Sequence, residues 1–373
     1  MKKLFALLLS GLLPLFAQNY SKTAQTISLY PLPINTLNIK ANYNRINDTI
    51  DVLNIKEKEL GGTNLGTIGD ASGVDISLGY GNEYGSLHYD FEYLGINYAD
   101  TKLKNKKNEI FAKINLFHDP LYIFQAFSVD IGLTVNSADD LDLKKVSTLN
   151  SMIQKIRPGT SIKFNGTGID FKGSTLTIFD HNGVLPPYIR IANMSDTSFF
   201  IRGLTGIEYQ NSTLHLYSGL KTTSIESFIT LEPSKSETIA DALKEFGNIG
   251  LDRDEKTLFA GFNYALDYQD FIFEAGYEYL KIFGRDAKLD TTNDNHILNG
   301  SISKSINEDF RVFIAGKAML NQFNGVIPYL YNEYTKHRYD KKYGYAKIGF
   351  IYNVNLDYLG SLWRYFSLEL LDL

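Results

Sequence analysis

The sequence predicts an all-β chain, an antiparallel transmembrane β-barrel of about twelve strands. Three observations carry this reading. Apolar and polar residues alternate with period two along most of the 373 residues. In 256–268, KTLFAGFNYALDY, Leu258, Ala260, Phe262, Tyr264, Leu266 and Tyr268 share one face, while Thr257, Gly261, Asn263 and Asp267 share the other. Successive strand side chains point to opposite faces, so such a segment has one apolar side and one wet side. The alternating segments also have roughly the 9–11 residues that a tilted strand needs to cross a bilayer. Finally, they follow a secretory signal.

The signal sets the compartment. Met1, Lys2 and Lys3 are a short basic region, Leu4 to Phe16 an apolar core broken only by Ser10, Gly11 and Pro14, and Ala17 a small residue before a cleavage point. The core is too short for a permanent spanning helix. Residues 1–17 are therefore read as a signal peptide, 18–35 as an N-terminal periplasmic or plug segment, 36–355 as the barrel and 356–373 as a C-terminal tail. With no cysteine in the chain, neither a lipoprotein anchor nor a disulfide contributes.

Composition points the same way. No apolar run after residue 17 approaches the ~18–20 residues of a spanning helix, and mean hydropathy is −0.17. Aromatic residues make up 13% of the chain, with 25 Tyr and 24 Phe against one Trp, which suits aromatic girdles at two membrane interfaces. The formal net charge is −5, and it becomes more negative once Lys2 and Lys3 leave, so no nucleic-acid partner is expected.

In order, the pattern predicts strands over 36–45, 72–81, 84–97, 107–117, 122–135, 198–208, 212–224, 256–267, 270–282, 294–306, 309–320 and 341–354. Short turns at 81–84, 118–121, 209–211, 267–270 and 306–309 alternate with long connections at 46–71, 98–106, 136–197, 225–255, 283–293 and 321–340. Barrels with tight periplasmic turns and long external loops show this asymmetry, and termini on one side require an even strand number. A further hairpin within 159–194 would raise the count to fourteen. Residues 136–197 are too long for a simple loop and carry a candidate amphipathic helix at 144–156 and an alternating stretch at 160–179. This segment is expected to fold into the mouth as a constriction or lid; an exposed hairpin-bearing loop is the alternative. A second candidate helix, 234–246, is expected to cap the outer rim.

In the last strand, Lys347, Gly349, Tyr352 and Val354 follow a polar-x-Gly-x-x-hydrophobic-x-hydrophobic pattern that resembles the signal read by barrel-assembly machinery. Unlike that pattern's usual position, the chain runs on to Leu373. The architecture resembles Gram-negative outer-membrane β-barrels of the porin and transport class over nearly the whole mature chain. The resemblance implies residence in the outer membrane of a Gram-negative bacterium, with outer-membrane lipid and barrel-assembly machinery as partners.

If the apolar face of each strand meets lipid, the other face lists the lumen. Phase places Asp90, Glu92, Glu274 and Glu278 inside as an acidic set, and Arg202, Arg311 and Lys317 as a basic set. Ser86, His88, Asp75, Lys40, Lys113, Lys221 and Lys347 share their phase. In the first reading, acidic and basic arcs make a transverse field in a channel for passive diffusion or transport of small polar solutes. In the second, the charges pair and plug a structural or adhesive barrel.

A lipid hydrolase would need a Ser and a His on the lipid side, whereas His88 and His215 phase inward, so no enzyme activity is expected. Asp180-His181-Asn182-Gly183 reads as a loop turn. His88, Asp90 and Glu92 at i, i+2, i+4 could offer metal ligands, but same-face neighbours lie about 6.5–7 Å apart, and solvated charges are the simpler reading. Gly61, Gly62, Gly66 and Gly69 lack the setting of a phosphate loop, and no cofactor is expected. A transporter of hydrophobic compounds would need an apolar lumen, which the inward charges oppose.

Overall fold

A computed structural model of the chain describes residues 29, 31–46, 68–98, 102–117, 124, 126–138, 141–143, 163–164, 168–171, 174–177, 188–232, 249–285, 293–321, 323–332 and 342–356. Twelve antiparallel strands close into a barrel. They are β1 (Thr36–Ile46), β2 (Ile68–Asn82), β3 (Gly85–Tyr98), β4 (Lys102–Phe117), β5 (Phe127–Ala138) and β6 (Tyr188–Tyr209) in the first half. The second half comprises β7 (Ser212–Glu232), β8 (Arg253–Tyr268), β9 (Phe271–Phe283), β10 (Asp294–Ser305), β11 (Phe310–Met319) and β12 (Tyr343–Asn355). Each strand pairs with its sequence neighbours, and β12 pairs with β1 from Thr36↔Asn355 to Arg45↔Ala346 to complete the ring. Closure is what lipid demands: a backbone N–H or C=O left at an open edge in hydrocarbon would cost several kcal/mol.

The alternation sorts side chains as the sequence pattern predicts. On β8, Leu258, Phe262 and Tyr264 face out, while Glu255, Thr257 and Asn263 are buried inside. On β11, Ile314 is 62% exposed on the outer face, and its neighbours Phe313 and Ala315 are buried. Turns at one end are tight. The Asn82 carboxamide accepts from the backbone N–H groups of Tyr84 and Gly85 at 2.8 and 3.0 Å, and Asn307 caps Asp309 and Phe310 in the same way. Gln210 and Gln269 take positive φ (53° and 58°) in the two-residue turns after β6 and β8.

Several boundaries differ from the sequence reading. β4 begins at Lys102, not 107, so the connection from β3 spans only 99–101 and is not a long loop. KLKNKKN reads as polar, yet Leu103 (0% exposed) and Asn105 point inward while Lys104 and Lys106 point out beyond the apolar band. β5 begins at Phe127, not 122, which makes 118–126 the longer of the turns at that end. Its pairing with β4 is interrupted between Asn115 and Phe117. β6 and β7 reach 22 and 21 residues, about 70 Å at ~3.3 Å per residue. They run past the barrel at the long-loop end, where Leu141–Leu143 pairs with β6 and Ile249–Gly250 with β7. The stretch that in the alternative reading would add a hairpin to the barrel holds, among the described residues, a separate small sheet of Lys163–Phe164, Gly168–Phe171 and Ser174–Thr177. The count therefore stays at twelve. The signal peptide, the candidate helices 144–156 and 234–246, Asp180–Gly183, Gly61, Gly62, Gly66 and the tail 357–373 lie outside the described residues.

Ahead of β1, the described residues of the N-terminal segment enter the short-turn end. Leu29 and Leu32 are buried, and Ser128 Oγ on β5 donates to the Leu29 carbonyl at 2.5 Å. Two wall glycines make room. A Cβ on Gly206 would sit 2.7 Å from Leu29 Cδ2, and one on Gly81 would collide with the Pro33 carbonyl.

The outward phase of β11 makes Ile314 a test of the bilayer position. Ile314→Arg is expected to lower the unfolding free energy in lipid vesicles by ~2–4 kcal/mol, whereas Leu320→Arg, past the strand end, should cost below ~1 kcal/mol. Denaturant titration of the two variants checks this.

Candidate functional site: the charged lumen

The inner face mixes buried apolar residues such as Phe259, Ile272, Leu280 and Phe313 with polar ones, and its charges fall at three heights. Lowest, toward the short turns, Asp130 on β5 is fully buried between two cations on its neighbours. Lys113 Nζ lies 2.6 Å from Oδ1, and Arg202 Nε and Nη2 donate to Oδ2 at 2.9 and 2.5 Å. The register explains the meeting, since Lys113, Asp130 and Arg202 are direct cross-strand partners on β4, β5 and β6. The Arg202 guanidinium also lies over the Phe111 and Phe200 rings, at 5.8 and 5.6 Å from their centroids. At the same end, Ser301 donates to Glu274, and Arg311 donates to Ser303 Oγ at 3.3 Å and Ser305 Oγ at 2.5 Å. Each of these strand-to-strand contacts satisfies a buried polar group that would otherwise cost free energy.

Midway, the wall leaves a cavity of about 280 Å³. Its carboxylates are Asp75, Asp90, Glu92 and Glu278, and its ammonium groups are Lys40, Lys107, Lys317 and Lys347. Asp75 directly faces Glu92 across β2 and β3, and Asp90 faces Glu109 across β3 and β4. Like charges directly opposite repel. Lys347 stands 3.4 Å from Asp75 and Lys107 2.9 Å from Glu109, which offsets part of that repulsion. Asn44 Nδ2 adds a bond to Asp75 Oδ1 at 2.6 Å.

Uppermost, the connection between β11 and β12 turns inward. Phe323, Asn324, Ile327, Tyr329, Leu330, Tyr331 and Asn332 are all buried, around a short 3-10 turn at Pro328–Leu330. The wall holds this segment by its backbone. Lys221 Nζ on β7 donates to the Gly325 carbonyl at 2.7 Å, and Asn295 Nδ2 on β10 to that of Asn324 at 2.9 Å. Arg253 Nη2 on β8 donates to the carbonyls of Pro328 at 3.0 Å and Tyr331 at 2.5 Å. Tyr329 OH reaches Asn105 Oδ1 on β4 at 2.5 Å, and its N–H donates to Asp196 on β6. Glu255 organises the arginines, accepting from Arg253 Nε at 2.8 Å and Arg285 Nε at 2.9 Å. Arg285 in turn stacks over the Tyr331 ring at 4.6 Å.

Of the residues singled out from phase, Asp90, Glu92, Glu278 and Lys317 line the central cavity. Glu274, Arg202 and Arg311 sit below it in wall pairs. The charges do not divide into two facing arcs: Lys107 interrupts the acidic run of β2–β4, and Glu278 on β9 lies across the barrel from Asp90 and Glu92 on β3. His88 does not turn toward Asp90 and Glu92. It stacks on Phe111 at 4.6 Å and its Nε2 lies 2.8 Å from Ser86 Oγ, inside the wall. Among the described residues, no three His, Asp or Glu side chains are grouped to hold a metal. Two functional features escaped the sequence reading. Lys107 lay at the edge of a strand drawn too short, and the inward loop was sought in 136–197, of which 144–162 and 178–187 lie outside the described residues. An unusually apolar loop, FNGVIPYLY at 323–331, was the available signal.

No family model and no curated protein matches the sequence. Among solved structures, the chain is similar to the translocator domain of the autotransporter NalP from Neisseria meningitidis (8% identity, TM-score 0.44, covering 94% of this chain and 97% of that one). It is also similar to the NanC porin (10% identity, TM-score 0.40, 85% and 98% covered) and to the toluene transporter TodX of P. putida (9% identity, TM-score 0.39, 86% and 89% covered).

The buried triad on β4–β6 yields a sharp stability test. Asp130→Asn leaves Lys113 and Arg202 without their shared counter-charge and is expected to cost ~3–5 kcal/mol. Replacing Lys113, Asp130 and Arg202 together with Met, Leu and Met should cost markedly less. Unfolding free energies of both variants decide it; a triple variant that loses as much as Asp130→Asn would mean that uncompensated cations are not what the single change costs.

Proposed function

We propose that the protein is a channel for small polar solutes in the outer membrane of a Gram-negative bacterium, inserted by barrel-assembly machinery and without enzymatic activity. The observation that carries the reading is the charge-lined cavity of about 280 Å³ at mid-height. Four lysines and four carboxylates there are costly to desolvate, so the wall stays stable by keeping them in water or pairing them. The same lining opposes a hydrophobic-compound transporter, whose solute would have to displace that hydration. The Ser86–His88 pair lies on the lumen side, away from any lipid substrate, which opposes a lipid hydrolase.

A second reading has its own support: the inward loop 323–331 occupies the mouth, as a plugged structural barrel would require. Conductance in planar bilayers separates the two. A channel predicts small steady currents from the intact protein and larger ones when 323–331 is replaced by a short polar linker or when Arg253 and Arg285 are both changed to Ala. Silence in the intact protein and in both variants would establish the plugged barrel instead.

A further inference from the structure

Resting on the channel reading, we infer that the segment ahead of β1 is a detachable plug that narrows the short-turn mouth of the pore, in series with the inward loop 323–331 at the other end. Its sequence, Pro31-Leu32-Pro33, cannot extend β1, because each proline lacks the N–H that a strand ladder needs. A turn forms instead. The Thr36 N–H donates to the Pro33 carbonyl at 3.1 Å, and Asn35 takes φ 59°, a left-handed conformation that Asn tolerates and β-branched residues do not. The Asn35 N–H donates to the Gly81 carbonyl on β2 at 2.9 Å, which fixes the turn to the rim.

From that turn the segment crosses the inner wall from β2 to β5 and β6. Leu32 lies over Gly79 of β2, where a Cβ would sit 2.6 Å from Leu32 Cδ1. Leu29 lies over Gly206 of β6, and its carbonyl accepts from Ser128 Oγ of β5. Both leucines are buried, and the wall positions beneath them are glycine or serine, so the wall is hollowed where the segment docks. Ser128 shares the inner face of β5 with Asp130, two residues on. The segment therefore covers the Lys113–Asp130–Arg202 triad from the short-turn end.

The same contacts make it separable from the barrel. Among the described residues, the ladder of β1 with β12 begins at Thr36 and that with β2 at Leu37, so the ring is closed without the segment. Two leucine side chains and the bond from Ser128 can be lost while every strand edge stays paired. The loop 323–331, by contrast, is held from β4, β6, β7, β8 and β10, which makes the N-terminal segment the weaker of the two closures.

The experiment pairs thiol labelling with planar-bilayer conductance, in the full mature chain carrying His215→Cys. Position 215 on β7 borders the Leu29 site: a Cβ on Gly206 would lie 2.7 Å from Leu29 Cδ2 and 3.1 Å from His215 Cδ2. Leu29→Asp disfavours docking by burying a charge, and Asn35→Val disfavours the turn. Each is expected to speed labelling by a water-borne maleimide about tenfold, the equilibrium shift that ~1.4 kcal/mol represents, and to raise the steady current. The two changes act at separate points, so the test stays decisive if one variant does not fold. Labelling unchanged in both variants would overturn the plug. Faster labelling with an unaltered current would also overturn it, as a wall cover that does not narrow the pore, and would leave the channel standing. No current from the parent, from either variant, or from either variant with 323–331 also replaced would overturn the channel reading and the plug with it.

Discussion

The structure depends on one constraint: in lipid, every strand edge must be paired. Closing β12 onto β1 satisfies the backbone of the outer strands, and from that closure the rest follows. Once the ring is shut, period-two alternation leaves only two environments. Every side chain that cannot face hydrocarbon must face inward, whether or not there is room for it. The charged lumen is thus a consequence of closure as much as a functional device, and the wall manages it by cross-strand pairing at fixed heights.

That management differs along the axis. Low in the barrel, Asp130 is shared by Lys113 and Arg202 on its two flanking strands, so three strands are tied at one level by charge. At mid-height the register instead sets carboxylate opposite carboxylate, and compensation is less complete. Near the long loops, the wall's cations turn to backbone carbonyls of 323–331, so the loop is gripped independently of its side-chain identities. A barrel built only for mechanical stability would be expected to resemble its lowest tier throughout. A paired base, a partly compensated waist and a loop-filled mouth make the lumen differ along its axis.

How much of this was legible in the sequence follows from what period two can encode. Alternation in KTLFAGFNYALDY fixes face and strand, and all twelve barrel strands overlap the predicted ones. Ends were less legible, because KLKNKKN continues the alternation with lysines in place of apolar residues once the strand leaves the hydrocarbon. Phase also says which residues point inward but not at what height they meet. Arg202 and Asp90 share a phase, and only the register puts one against Asp130 and the other beside the cavity. The inward loop was least legible of all, since its anchors, Asn105, Lys221 and Arg253, are distant in sequence and none of them marks a loop partner by type.

The charged lumen rests on the register, and thiol accessibility tests it most directly because the chain has no cysteine of its own. Single cysteines at Asp90 and Lys317 in the vesicle-inserted protein should react with a small water-borne thiol reagent, and cysteines at the outward-phased Phe91 and Val312 should be shielded by lipid. The reverse pattern, with Phe91 and Val312 labelled and Asp90 and Lys317 protected, would place the charges on the wrong face and contradict the charged lumen.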